Sequence, residues 1–259
     1  MFWQALKVQG RVIRASILRE TRTRFGRSKL GYLWALFEPM AYILSLLAIF
    51  SAMDRGAPIA GVDLAMFFFS AIIPWLMFAR ISGAVSRAIK SSKALLTYPQ
   101  VKGIDIMLAL LVLEFVTLFL VAVIYLAGAS YLEIFVSIER PLEVILALFL
   151  ASLLGFGFGM LSSTARLYWS AYNNFQSAFM RVLFFTSGKF FIVGMLPPTL
   201  QEWLWYNPLL HVVEWMRSAF FGGFESQFYD LRYPVMVALV MLFLGLATER
   251  MSRYRLSEA

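Results

Sequence analysis

The chain contains no cysteine and only one histidine, His211. Without cysteine there is no disulfide framework and no thiolate metal site. With one histidine there is no imidazole metal cluster and no H-E-x-x-H site, so no metal site is expected. His211 reads as a hydrogen-bonded structural residue rather than a ligand or proton relay. A phosphate-binding loop is also missing, because Ser187-Gly188-Lys189 lacks the spaced glycine and the following Ser or Thr. The acidic residues are scattered, which leaves no clustered acid and base for chemistry on lipid-linked sugars. No catalytic residue and no cofactor is therefore assigned to this chain. Charge is scarce throughout: 15% of the 259 residues are charged and 61% are hydrophobic, with a mean hydropathy of +0.74. One globular core of this size cannot bury so much apolar side chain. The composition is that of an integral membrane protein.

What charge there is lies in a pattern. Arg19-Glu20-Thr21-Arg22-Thr23-Arg24-Phe25-Gly26-Arg27-Ser28-Lys29 is a basic arm that runs without a linker into an apolar stretch ending at Met53. A basic flank joined to an apolar run of this length places the arm on the cytoplasmic side of a bilayer. The net charge of +8 sits beside apolar runs, where anionic lipid headgroups are its partner and nucleic acid is not. Residues 1–29 lack the apolar region and cleavage site of a signal peptide. Trp3, Leu6, Ile13 and Ile17 share one helical face, and Lys7, Arg11 and Arg14 share another. A helix lying in the headgroup plane and a helix packed on protein both fit that pattern.

Six spans are expected, at 31–53, 64–81, 104–127, 141–161, 171–195 and 233–247, giving an all-α polytopic membrane protein. Glu38-Pro39 kinks the first span or marks its entrance into the membrane. With both termini cytoplasmic, only Arg55, Arg140, Lys189, Arg217 and Arg232 of the 23 basic residues fall outside or near the outer edge. That asymmetry follows the positive-inside rule. Gly155 and Gly159 form a small-xxx-small face where another helix can approach closely, or simply tolerate a bend. The segment 196–232 is too apolar for a free loop. Yet Pro197-Pro198, Asn207-Pro208 and Gly222-Gly223 cut it into pieces too short to span. Short re-entrant helices before the last span account for it, since broken backbone at membrane depth is tolerated only when buried in protein or lining a cavity.

Four stretches together carry a family resemblance: 19–26 in the arm, Gly31-Tyr32-Leu33-Trp34-Ala35-Leu36-Phe37-Glu38-Pro39, Leu95-Leu96-Thr97-Tyr98-Pro99-Gln100-Val101, and Tyr206-Asn207-Pro208-Leu209-Leu210-His211. Over essentially its whole length the chain resembles the permease subunit of ABC type-2 polysaccharide exporters, most nearly the KpsM/BexB/CtrC type that exports group 2 capsular polysaccharide. The resemblance implies a single transmembrane domain over 1–259 forming a homodimer, with two nucleotide-binding ATPase subunits that bind ATP and Mg. It implies an inner-membrane location, a lipid-linked acidic polysaccharide moving through a channel at the dimer interface, a periplasmic co-polymerase or adaptor and an outer-membrane channel. Exporters of another lipid-linked polymer (O antigen, teichoic acid) or of a hydrophobic small molecule share these features.

Roles follow for particular residues. The resemblance implies a cytoplasmic coupling loop at 82–103, where Lys90, Lys93, Leu95, Leu96, Tyr98, Pro99 and Gln100 form an apolar plug with basic flanks, suited to an ATPase cleft. Arg22, Arg24, Arg27 and Lys29 either bind a lipid phosphate or acidic sugar at the cytoplasmic entrance, or serve only as topology anchors. Tyr32, Trp34, Phe37, Trp75, Tyr168, Trp169, Tyr172, Asn173 and Asn174 offer rings and amides along which sugars slide, although rings near bilayer edges also form ordinary aromatic belts. Arg181 and Lys189 are expected on one face of the fifth span, lining the channel or snorkelling to opposite interfaces. Glu114 is a structural partner. Trp203, Trp205, Asn207, Pro208, His211 and Trp215 form the outer gate.

Overall fold

The computed structural model describes residues 2–25, 29–98, 100–134, 136 and 138–256, with side chains at all of these except 2, 4–6, 24, 25, 29–32, 35, 93 and 253–256. The described residues form helices and connecting turns, with no strand. In chain order these are α1 (Phe2–Phe25), α2 (Lys29–Ala52), α3 (Leu64–Ser91), α4 (Lys93–Leu96), α5 (Gly103–Tyr131), α6 (Pro141–Tyr168), α7 (Tyr172–Thr186), α8 (Pro198–Trp205), α9 (Pro208–Phe220) and α10 (Arg232–Leu256).

Among the described residues four helices are long and apolar enough to cross a membrane: Leu64–Ser91, Gly103–Tyr131, Pro141–Tyr168 and Arg232–Ser252. A shorter apolar stretch, Leu36–Ala52, lies in α2, where the buried Pro39 does not end the helix. Around α3 the others are arranged. Asp63 caps its start by accepting from the Ala65 N–H at 2.7 Å, and most of its residues are buried against α6, α5 and α9. Its 28 residues span roughly 42 Å at 1.5 Å per residue, longer than a ~30 Å hydrocarbon core. The last turns stay helical because Ala84, Val85, Ala88 and Ile89 pack on Ile106, Met107, Phe156 and Met160. The loop expected from residue 82 is therefore helix as far as Ser91, and only 92–102 connects α3 to α5.

Close packing of α6 comes from its glycines. A Cβ on Gly155 would lie 2.6 Å from the Phe78 carbonyl oxygen of α3, and one on Gly157 would lie 2.8 Å from Met241 Cβ of α10. Gly159 meets Val85 in the same way. These positions admit the neighbouring backbones because they carry no side chain.

The fifth span departs from expectation. α7 has 15 residues, roughly 22 Å, and ends at Thr186 rather than running to 195. Gly188, at φ +74°, turns the chain out of the helix, and Lys189 is drawn into the protein instead of continuing the helical face of Arg181. α1 packs on protein along one side: Gln9 donates to Asp105 of α5 at 2.9 Å and Arg19 donates to Ser92 at 3.1 Å. Ile13 and Ile17 are half-buried there, while Trp3, Lys7, Arg11 and Arg14 are exposed.

Candidate functional site

At the end of the molecule that bears the basic arm, α3, α6 and α7 enclose an open cavity of about 650 Å³. Arg87, Lys90 and Ser91 come from the last turns of α3, Arg166 and Tyr168 from the end of α6, and Trp169, Ser170 and Asn173 from the turn into α7. Among the described residues three cations line it and no carboxylate does. Arg166 is fixed by two hydrogen bonds to Gln176 Oε1, at 2.7 and 3.2 Å. The turn is braced from beneath by a 2.8 Å hydrogen bond between Ser162 and Tyr172. Tyr172 is thus buried and props the turn rather than lining a path. Guanidinium and ammonium groups fixed beside rings and amides suit a phosphate joined to a sugar.

From this cavity a ladder of rings climbs α7. Trp169 meets Phe175 at 5.6 Å, Phe175 stacks on Phe179 at 6.1 Å, and Phe179 stacks on Phe158 of α6 at 5.5 Å. Phe175, Phe179, Val182 and Phe185 are exposed, as are Trp34 and Phe37 on α2. The two helices touch through Tyr42 and Phe184. Asn174 and Arg181 are also exposed, Arg181 folding back to donate to the Ser177 carbonyl at 3.3 Å. Between α2 and α3, Glu38 pairs with Arg80 at 2.6 Å, so the Glu-Pro step carries an ion-pair partner as well as a proline.

The opposite end is closed by α8 and α9. Asn207 caps α9 by accepting from the Leu209 N–H at 3.0 Å, donates to Thr186 at 3.0 Å, and is followed by Pro208 at the first helical position. Residues Leu209 to Phe220 are all buried, so α9 is an internal helix. His211 accepts at Nδ1 from the Asp230 N–H at 3.1 Å, and its Nε2 lies 2.8 Å from the Trp205 carbonyl oxygen. An Nε2–H tautomer satisfies both contacts. Trp215 donates to Glu143 at 2.7 Å, tying α9 to the start of α6. Trp203, by contrast, is 78% exposed. At the centre lies a fully buried pair, Glu214 and Arg217, 3.1 Å apart. Glu214 also accepts from Ser226 at 2.6 Å, and Arg217 donates to the Phe191 carbonyl at 2.9 Å and faces the Phe67 ring at 4.2 Å.

Of the expected coupling residues, Lys90 lies at the cavity rim, Leu95 and Leu96 pack on the base of α3 and α5, and Tyr98 and Gln100 are exposed. Arg22 is exposed on α1. Pro99 and Arg27, and the side chains of Arg24, Lys29, Tyr32 and Lys93, lie outside the described residues. Lys189, expected on a channel face, is fully buried against Trp75 and Phe184. Sequence reasoning missed Arg87 and Arg166 as members of one site, because they are far apart in the chain and meet only at the α3–α6 crossing. It also placed Arg217 at the membrane edge. The i,i+3 spacing of Glu214 and Arg217 in an otherwise apolar run was a usable signal for an internal pair.

Comparison with known proteins agrees with this architecture. The ABC-2 type transporter family profile matches residues 11–221. The polysialic acid transport protein KpsM of Escherichia coli is 34% identical over 250 residues, covering 94% of each chain. The capsule polysaccharide export inner-membrane proteins CtrC of Neisseria meningitidis serogroup B and BexB of Haemophilus influenzae are 29% and 26% identical, each over 95% of this chain and 92% of the relative. With a profile match over most of its length and a relative of this identity spanning nearly all of it, the chain belongs to the ABC-2 type transporter family of membrane subunits.

Proposed function

We propose that this protein is the membrane-spanning subunit of an ATP-driven exporter that moves a lipid-linked capsular polysaccharide from cytoplasm to periplasm. The observation that carries this reading is the basic, aromatic cavity at the arm-bearing end, continued by exposed rings on α7. A lipid-linked polymer presents a phosphate near the bilayer and sugars beyond it. Cations at the cavity hold the first, and weak repeated ring contacts let the second slide. Two copies meeting through the exposed faces of α2 and α7 enclose the path between them. The chain lies in the bacterial inner membrane with six crossings and both termini cytoplasmic, which puts the cavity and the arm of Arg22, Arg24, Arg27 and Lys29 at the entrance, and Trp203, Trp205, Asn207, Pro208, His211 and Trp215 at the outer gate.

ATP and Mg are bound by two separate nucleotide-binding subunits that dock on residues 90–100. α3, buried over most of its length, carries their closure across the membrane. A periplasmic adaptor and an outer-membrane channel complete the route. Co-purification of this subunit with its ATPase in lipid tests the reading, followed by hydrolysis assays with and without lipid-linked polysaccharide. Stable association with polymer-stimulated hydrolysis is expected. A permease that never associates with an ATPase loses the exporter role.

A further inference from the structure

The segment that follows α7 holds a cation with no anion of its own. Lys189 is 0% exposed, and its ammonium lies 3.8 Å from the ring centroid of Trp75 on α3 and 3.2 Å from that of Phe184 on α7. Among the described residues Nζ has no hydrogen-bond partner. Glu214, the carboxylate on the neighbouring face of α9, is already committed: Oε1 accepts from Arg217 at 3.1 Å and Oε2 from Ser226 at 2.6 Å. Arg217 also holds the backbone of the same segment, through the carbonyls of Phe191 at 2.9 Å and Lys189 at 3.5 Å.

Ring faces offset part of the cost of a desolvated ammonium, not all of it. An ionisable group held at membrane depth without a partner is a functional group by default. Its surroundings say what it awaits. Phe184, one wall of the cage, packs edge-on at 5.1 Å against the exposed Phe185, and the adjacent Phe190 stacks on Phe50 of α2 at 6.2 Å. The cage is thus built from α3 and α7, and it adjoins the two helices, α2 and α7, whose outward faces carry the exposed rings. An internal carboxylate would hold the lysine permanently; the rings of the cage do not. Gly188 turns the chain into the cage, at a φ of +74° that residues with side chains rarely adopt.

We propose that Lys189 reads the charge of the exported chain: as the outer gate opens, its ammonium leaves the Trp75–Phe184 cage and pairs with acidic groups of the polymer, so that this residue favours acidic polymers over neutral ones. The inference rests on the export function above and assigns its substrate preference.

The test uses the full chain with its ATPase in bacteria lacking their own exporter, one strain making an acidic lipid-linked polymer and one a neutral one, with surface polymer measured per cell. Lys189→Met is expected to cut display of the acidic polymer roughly tenfold, the factor of one charge-assisted hydrogen bond, while the neutral polymer is displayed as by the wild type. Lys189→Arg is expected to retain acidic export. Equal loss of both polymers, or no loss of the acidic one, overturns the proposal. Failure of the wild-type complex to export either polymer overturns the export reading itself. A second measurement holds if Lys189→Met does not assemble: in the wild-type complex Lys189 should resist an amine-acylating reagent at rest and react while acidic polymer is moving. Protection under both conditions also overturns the proposal.

Discussion

The Glu214–Arg217 pair shows how a single side chain decides stability in this protein. Both groups are fully buried and both have further partners, Ser226 for the acid and the Phe191 carbonyl for the base. Removing one charge strands the other in a medium of low dielectric constant, which costs about 3–5 kcal/mol. Arg217→Met is therefore expected to lower the melting temperature of the detergent-solubilised protein sharply. The double variant Glu214→Gln/Arg217→Met should lose less than the sum of the two single changes, because no bare charge remains; additive losses would mean that the two residues act independently. The pair was legible only in part. Residue types and spacing were visible, but partners such as Ser226 and Phe191 come from turns whose path no periodicity specifies. Glu38–Arg80 was hidden for the same reason: each residue had a sufficient local explanation, proline kink or basic flank, and only the α2–α3 contact joins them.

For whole helices, the sequence carried most where one physical constraint acted alone. Apolar length announced α3, α5, α6 and α10, and glycines at 155 and 159 announced the face on which α6 meets α3. Where two constraints competed, the reading slipped. Hydropathy carried the fifth span on to residue 195, but the turn at Gly188 ended α7 at Thr186. Basic residues suggested that α3 stopped near Ile81, but apolar packing of Ala84, Val85, Ala88 and Ile89 kept it helical to Ser91. The glycine contact makes a direct prediction. Gly155→Ala puts a methyl carbon 2.6 Å from the Phe78 carbonyl oxygen and should destabilise the bundle by about 1–3 kcal/mol. Gly128→Ala in α5 meets nothing within 4 Å and should be neutral or stabilising, since alanine favours the helix by up to about 1 kcal/mol. Equal melting temperatures for the two variants would remove close approach as the reason for the α6 glycines. The segment after α3 makes another. Replacing Leu95, Leu96 and Tyr98 with alanine should leave ATPase binding measurable but separate hydrolysis from export, and normal coupling in that variant would move the docking surface elsewhere.

Across the molecule, positive charge is concentrated at one end in two places, the arm of α1 and the cavity between α3, α6 and α7, and these have different physics. Lys7, Arg11, Arg14 and Arg22 stand exposed along a helix, where attraction to anionic headgroups accounts for them. Arg87, Lys90 and Arg166 converge on one open cavity with a tryptophan, a tyrosine and an asparagine, where attraction becomes recognition. Arg87 and Lys90 are exposed, so Arg87→Gln/Lys90→Gln should change stability by no more than about 0.5 kcal/mol per site. Arg166 is left in place because it also fixes Gln176. The double variant should assemble with its ATPase and keep basal hydrolysis, yet lose polymer stimulation, with half-maximal polymer concentration rising at least tenfold if each lost charge-assisted contact is worth about 1.5 kcal/mol. Neutralising Arg11 and Arg14 instead should weaken membrane association of α1 and leave polymer stimulation in lipid unchanged. If the two variants behave alike, the cavity is no more than a continuation of the basic surface. If only the cavity variant loses stimulation, the phosphate end of the polymer is read between α3 and α6, before the chain reaches the ring ladder.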